Sequence, residues 1–236
     1  MKFKTLFLFP RAELTINKVL LKVCFLLFVY NTSLVAREIN DAGDFQVWLH
    51  QSLRQSFGEK EYLNLSAEER WGGGASTHYL HYLQAHYAMQ CTDWLEIAPG
   101  YRQTFFLDLM HRRWRSIYEP LLIVRLSRSW GKGEVACRHQ VQYRIFDHRA
   151  PLWLYRLRPE LFLPVKFGKI GMRPYIFDEM FFLEESGFTE NRAAGALQIP
   201  MNTTLSGAIE YIYRSLKAVD RWNHQSIVRF NLNLRF

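Results

Sequence analysis

The stretch 226–236 reads SIVRFNLNLRF, and its alternation decides the fold. Successive side chains of an extended strand point to opposite sides. Val228, Phe230, Leu232, Leu234 and Phe236 therefore share one face, and Arg229, Asn231, Asn233 and Arg235 share the other. A soluble sandwich strand alternates too, but its usual length is about 5 to 6 residues and it rarely ends a chain on an aromatic.

The same division recurs upstream. In 134–147, Val135, Cys137, Val141, Tyr143 and Ile145 oppose Glu134, Arg138, Gln140, Gln142 and Arg144. In 151–163, Trp153, Tyr155, Leu157, Leu161 and Leu163 oppose Arg156, Arg158 and Glu160. Segment 205–214 sets Leu205, Ile209, Tyr211 and Tyr213 against Glu210 and Arg214, and 118–130 sets Leu122, Val124 and Leu126 against Glu119 and Arg125. Helical three-four spacing is scarce, so these segments read as strands.

Their polar faces suit either water outside a sheet or the interior of a barrel whose apolar face meets lipid. Length favours the barrel, because a tilted membrane strand needs about 9 to 11 residues. Trp71, Tyr118, Trp130, Trp153 and Tyr213 stand near segment ends, where an interfacial girdle would hold them. The predicted fold class is all-β, a transmembrane antiparallel up-and-down β-barrel of about 10 to 12 strands. Turn signals at 58–60, 72–76, 91–93, 108–113, 131–133, 148–150, 166–171, 185–190, 200–203 and 215–223 divide the chain into eleven strands. Bacterial single-chain barrels carry even strand numbers, so the reading leans to about twelve. Two segments fit least well. In 44–57, Gln51 and Gln55 interrupt the apolar face and leave a short helix open, and in 172–183 either Asp178 or Glu179 must face the wrong way.

Residues 1–36 read as a secretory signal peptide, and 37–236 as a single barrel domain. Lys2, Lys4, Arg11, Lys18 and Lys22 precede the apolar run 23–30, and polar Asn31, Thr32 and Ser33 lead to a cut after Ala36. An anchor helix over 16–35 would be interrupted by Lys18 and Lys22. Without the leader, the chain keeps 25 basic and 21 acidic residues, a net of +4. These charges are interleaved and show no basic arm or finger spacing, which argues against nucleic acid. Hydrophobic residues make up 49% of the chain, which excludes disorder. Past the leader no run reaches the roughly 18 to 20 apolar residues of a membrane helix. Three cysteines exclude a disulfide framework. Cys91 and Cys137 read as free thiols, with one bridge as the alternative.

Several short features in order resemble a known family. They are Phe45 and Trp48 in an early aromatic strand, then Leu63-Asn64-Leu65 with Glu68-Glu69-Arg70, then Gly100-Tyr101-Arg102, then Tyr143-Arg144, the segment 156–160 and the closing Phe236. In this order the chain resembles the DUF2490 family of Gram-negative outer-membrane β-barrels of unassigned function. The resemblance implies location in the cell outer membrane, contact with its lipid and no catalytic residues. Phe236 also resembles the terminal signal read by the barrel assembly machinery, which makes that machinery an expected partner.

On a barrel, the inward face would carry Glu68, Arg70, Glu96, Arg102, Glu119, Arg125, Arg138, Arg144, Arg156, Arg158, Glu160, Glu210, Arg214, Arg229 and Arg235. Charges held there must be paired or wet. Two readings follow: a narrow polar pore or binding lumen leaning to anions, or a ladder of ion pairs that plugs a structural barrel. The rival from another class is a soluble periplasmic sandwich or lipocalin-like binding protein. No enzyme, cofactor or metal site is expected. His224 and Ser226 share the outer face and leave a membrane-embedded lipid hydrolase as a further alternative, with no base and orienter visible. Regular strand parity puts His81 on the face opposite His78 and His86, against a metal cluster. Gly72-Gly73-Gly74 lacks a following Lys-Ser/Thr and reads as a turn. The sequence leaves the oligomeric state undetermined.

Overall fold

The computed structural model describes residues 42–219 and 221–236; the expected signal peptide lies outside the described residues. Eleven strands run in chain order: β1 (Phe45–Ser56), β2 (Glu61–Gly72), β3 (Thr77–Thr92), β4 (Leu95–Asp108), β5 (Arg113–Trp130), β6 (Gly133–Phe146), β7 (Leu152–Phe162), β8 (Arg173–Leu183), β9 (Gly187–Pro200), β10 (Leu205–Lys217) and β11 (Trp222–Arg235). Each pairs antiparallel with its neighbours in sequence, and β1 meets β11 to close the barrel. The ten turn signals fall at the ten connections between strands.

The lean to twelve strands is corrected by the closure. In a meander with an odd count the first and last strands run the same way, and here they pair in parallel from Phe45↔Ser226 to Arg54↔Arg235. Backbone bonds fasten both ends of that seam. Gly43 N–H donates to His224 O at 2.7 Å, and at the other end Phe236 N–H donates to Arg54 O at 2.9 Å. The barrel therefore begins at one rim and ends at the other. The first rim carries the start of β1 and the turns 73–76, 109–112 and 147–151; the second carries the turns 57–60, 93–94 and 131–132 and Phe236.

Segment 44–57 is a strand, not a helix, because its inward face is set by tertiary contacts. Trp48 Nε1 donates to Gln46 Oε1 at 3.0 Å, and Gln46 Nε2 donates to Asp44 and to Gln225 across the seam. Asp44 in turn accepts Gly73 N–H and Gly74 N–H, both at 3.1 Å. The glycine run is thus a turn folded onto a carboxylate, with Gly73 and Gly74 at positive φ as that close approach requires. On β8, Glu179 faces in and Asp178 faces out, where Asn191 Nδ2 donates to it at 2.6 Å.

The sidedness is that of an inverted soluble barrel. Leu65, Leu83, Leu122, Val141, Ile176, Ile209 and Phe230 are exposed on the outer face, while Glu68, Glu119, Gln140, Gln142, Glu179 and Glu210 are buried within. Of the seven tryptophans, only Trp48 lies inside. Trp71, Trp114, Trp153 and Trp222 sit at the first rim, and Trp94 and Trp130 at the second.

Gly100 marks a place where β3 and β4 approach too closely for any side chain. A Cβ there would lie 2.5 Å from Ala85 O and 2.6 Å from His86 Cβ. Gly100→Ala is therefore expected to push the strands apart at a cost of about 1–3 kcal/mol, measured as a lower urea midpoint of the folded barrel. An unchanged midpoint would show that the pair yields freely.

Candidate functional site

Alternation on eleven strands sends one side chain in two inward, and in this lumen arginines meet glutamates. Glu68 accepts Arg70 Nε at 2.7 Å and pairs with Arg229 at 3.6 Å. Arg229 Nε reaches across to Glu210 at 2.6 Å, and Glu210 also accepts the Tyr175 hydroxyl. Glu179 takes Nη2 of both Arg138 and Arg156 at 2.6 Å and lies 3.6 Å from Arg192. Arg192 and Arg214 share Glu190. Glu119 accepts Thr104, Gln142 and Arg144. Each of these carboxylates in the lumen thus has the partners that its desolvation demands.

The guanidinium planes rest on aromatic rings. Arg70 lies 3.8 Å from the Trp48 ring, Arg158 lies 3.7 Å from Phe177, and Arg192 lies between Trp48 and Phe181 at 4.9 and 4.3 Å. Away from water such stacking contributes up to about 2 kcal/mol each. This explains why β8 turns Tyr175, Phe177 and Phe181 inward beside Glu179.

Two cavities flank this waist. One, of about 320 Å³, extends toward the second rim and includes Arg54, Arg102, Arg158, Glu160, Asn231 and Asn233 in its lining. The other, of about 330 Å³, extends toward the first rim beside Arg144, Arg192 and Arg214. No residue lines both. Between them lie Glu68 on β2, Glu119 on β5, Gln142 on β6, Glu179 on β8 and Ile212 on β10, each at most 1% exposed, with Leu121 and Phe177 also buried and Ala194 and Ala196 on β9 partly buried. Trp48 on β1 and Ile227 on β11, both at 0%, lie at the same level.

The vestibule toward the second rim is basic. Seven arginines line it (Arg54, Arg102, Arg125, Arg138, Arg156, Arg158 and Arg229) against Glu96, Glu160 and Glu210. Four donors of its lining, Arg138 Nε, Arg156 Nε, Gln140 Nε2 and Asn231 Nδ2, are out of solvent contact and make no hydrogen bond within the protein. Orphaned donors with no matching acceptor define a place for an anion or for water.

Of the charges expected inside, Glu68, Arg70, Arg102, Glu119, Arg156, Arg158, Glu160, Glu210 and Arg229 are buried in the lumen. Glu96, Arg125, Arg138, Arg144 and Arg214 are half-buried, and Arg235 is exposed at the second rim. The sequence left the side of Glu179 open and gave Glu190 and Arg192 no place in the lumen. Glu190 fell within an assigned turn, and β9, with Ala193, Ala194, Gly195 and Ala196, shows no alternation.

Geometry bears on two further expectations. His224 hydrogen-bonds Ser215 Oγ at 3.1 Å, and Ser226 Oγ pairs with Tyr211 OH at 3.0 Å, so neither turns to the other. Parity failed for the histidines. β2 and β3 shift register at Arg70/Trp71, where Arg70 faces Leu80 and Trp71 faces His78, so Tyr79 is an extra residue. A bulge reverses the side of every residue beyond it, which puts His78 with His81 on the outer face. His86 stays inside, hydrogen-bonded by Gln84 at 3.0 Å. Cys91 and Cys137 are free thiols.

Fold and lumen together define a closed meander barrel with an internally paired, charged interior. Residues 45–225 match the family model described as a protein of unknown function (DUF2490), and the chain belongs to that family. No curated protein matches it.

Proposed function

We propose that the protein is a non-enzymatic integral barrel of the outer membrane, sealed at its waist, whose basic vestibule takes a small polar anion. The packed, mostly buried side chains between the two cavities carry the reading. It favours a plug over a pore, since barrels wide enough for an aqueous channel need about 16 strands. The membrane location is supported by the exposed apolar outer face, strands of 11 to 18 residues and tryptophans at both rims. A lipocalin-like soluble barrel would bury that apolar face inside instead. Outer-membrane lipid is then the outer solvent, and the assembly machinery is the partner that reads Phe236.

The test is reconstitution into planar bilayers. Folded wild-type protein is expected to insert and remain electrically silent, and inorganic phosphate is expected to raise the temperature at which the fold is lost. Steady conductance steps would restore the pore reading. A phosphate effect no larger than that of matched ionic strength would remove the anion from it.

A further inference from the structure

On the outer face beside the first rim, the bulge in β3 creates a cluster that the lumen does not use. Glu69 on β2 and His78 and His81 on β3 each offer one ligand atom, and these atoms all lie within 4.8 Å of one another. Glu69 is 8% exposed although it points away from the lumen. Its Oε2 faces His78 Nε2 at ion-pair range without hydrogen-bond geometry. His81 Nδ1 also makes no hydrogen bond, and all three atoms are out of solvent contact.

Aromatic rings fix both imidazoles. His78 and His81 stack on each other at 5.5 Å, Trp114 lies 5.2 and 5.1 Å from them, Trp71 lies 5.4 Å from His78, and Phe105 stacks on His81 at 4.8 Å. The contact between His78 and Glu69 leaves His81 Nδ1 without a partner. One ion between the three atoms answers all of them.

We propose that Glu69, His78 and His81 form a binding site for a divalent transition-metal ion, with zinc as the best-matched. Two imidazoles and a carboxylate are a donor set of three-ligand zinc sites, which leave one coordination position open. Calcium and magnesium, which take oxygen ligands, do not suit two imidazole nitrogens. The cluster lies on the outer face and shares no residue with the lining of the basic vestibule, so the site is independent of the vestibule and of its ligand.

The test uses folded full-length protein without a histidine tag, stripped with chelator and equilibrated with zinc or cobalt(II). Wild type is expected to retain one equivalent and to give the visible absorption of four-coordinate cobalt. His78→Ala and His81→Ala are expected to weaken binding by at least the roughly 10–100-fold that loss of a mere outer partner costs. His86→Ala, inside the barrel, keeps it. Heat-dependent electrophoretic mobility checks that each variant is folded. Folded wild type without stoichiometric metal, or a His78→Ala/His81→Ala double variant that retains it, would overturn the proposal.

Discussion

Glu179→Leu is expected to destabilise the folded barrel by about 3–5 kcal/mol, the usual cost of removing one partner from a buried ion pair. Glu179 is 1% exposed and is the carboxylate on which Arg138 and Arg156 both converge at 2.6 Å. Without it these guanidiniums face each other and Arg192 across the lumen with one negative charge fewer. Arg192 retains Glu190, but Arg138 and Arg156 lose the ion pair that holds them. Adding Arg156→Met to Glu179→Leu is expected to recover part of the loss, because an apolar replacement of the whole pair costs far less than half a pair. Glu134→Gln is the control. Its partner Arg125 and Glu134 itself are 30% and 28% exposed, so at most about 1 kcal/mol is at stake. Urea unfolding in lipid vesicles measures all three. A Glu179→Leu midpoint equal to that of Glu134→Gln would show that the waist does not depend on this pairing.

Trp48→Ala is expected to cost about 3–5 kcal/mol and to turn a silent barrel into a conducting one. The Trp48 ring is fully buried, and Arg70 and Arg192 pack on it at 3.8 and 4.9 Å. Its removal leaves a void between the two vestibules and frees both guanidiniums to move into water. Among the charged residues that line the two cavities arginines outnumber glutamates, so its conductance should favour anions. Trp130→Ala, at the second rim and 45% exposed, should leave the barrel silent. Bilayer recordings decide the matter, and a silent Trp48→Ala barrel would place the seal elsewhere.

The alternation of 226–236 and the punctuation by glycine, proline and asparagine were enough to read the strands, because a period of two follows directly from backbone geometry. What escaped was set by contacts between distant strands. Parallel closure of β1 on β11 has no local signature, so the strand count drifted to an even number. Phe177 and Phe181 look like part of a lipid-facing row until arginines from β7, β9 and β11 are known to lie over them. One inserted residue, Tyr79, reversed the side of His78, and nothing in 76–82 announces a bulge. The pairing of Glu68 with both Arg70 and Arg229 was foreseeable only as a general need for opposite charges.

The most direct test of the central claim, a closed barrel embedded in the outer membrane, is electrophoretic mobility in dodecyl sulfate of the outer-membrane fraction with and without boiling. Closed hydrogen-bonded barrels resist the detergent until heated. The protein is expected in that fraction, migrating as a compact species that shifts to the unfolded position on boiling. A protein free in the periplasm, with the same mobility before and after heating, would contradict it.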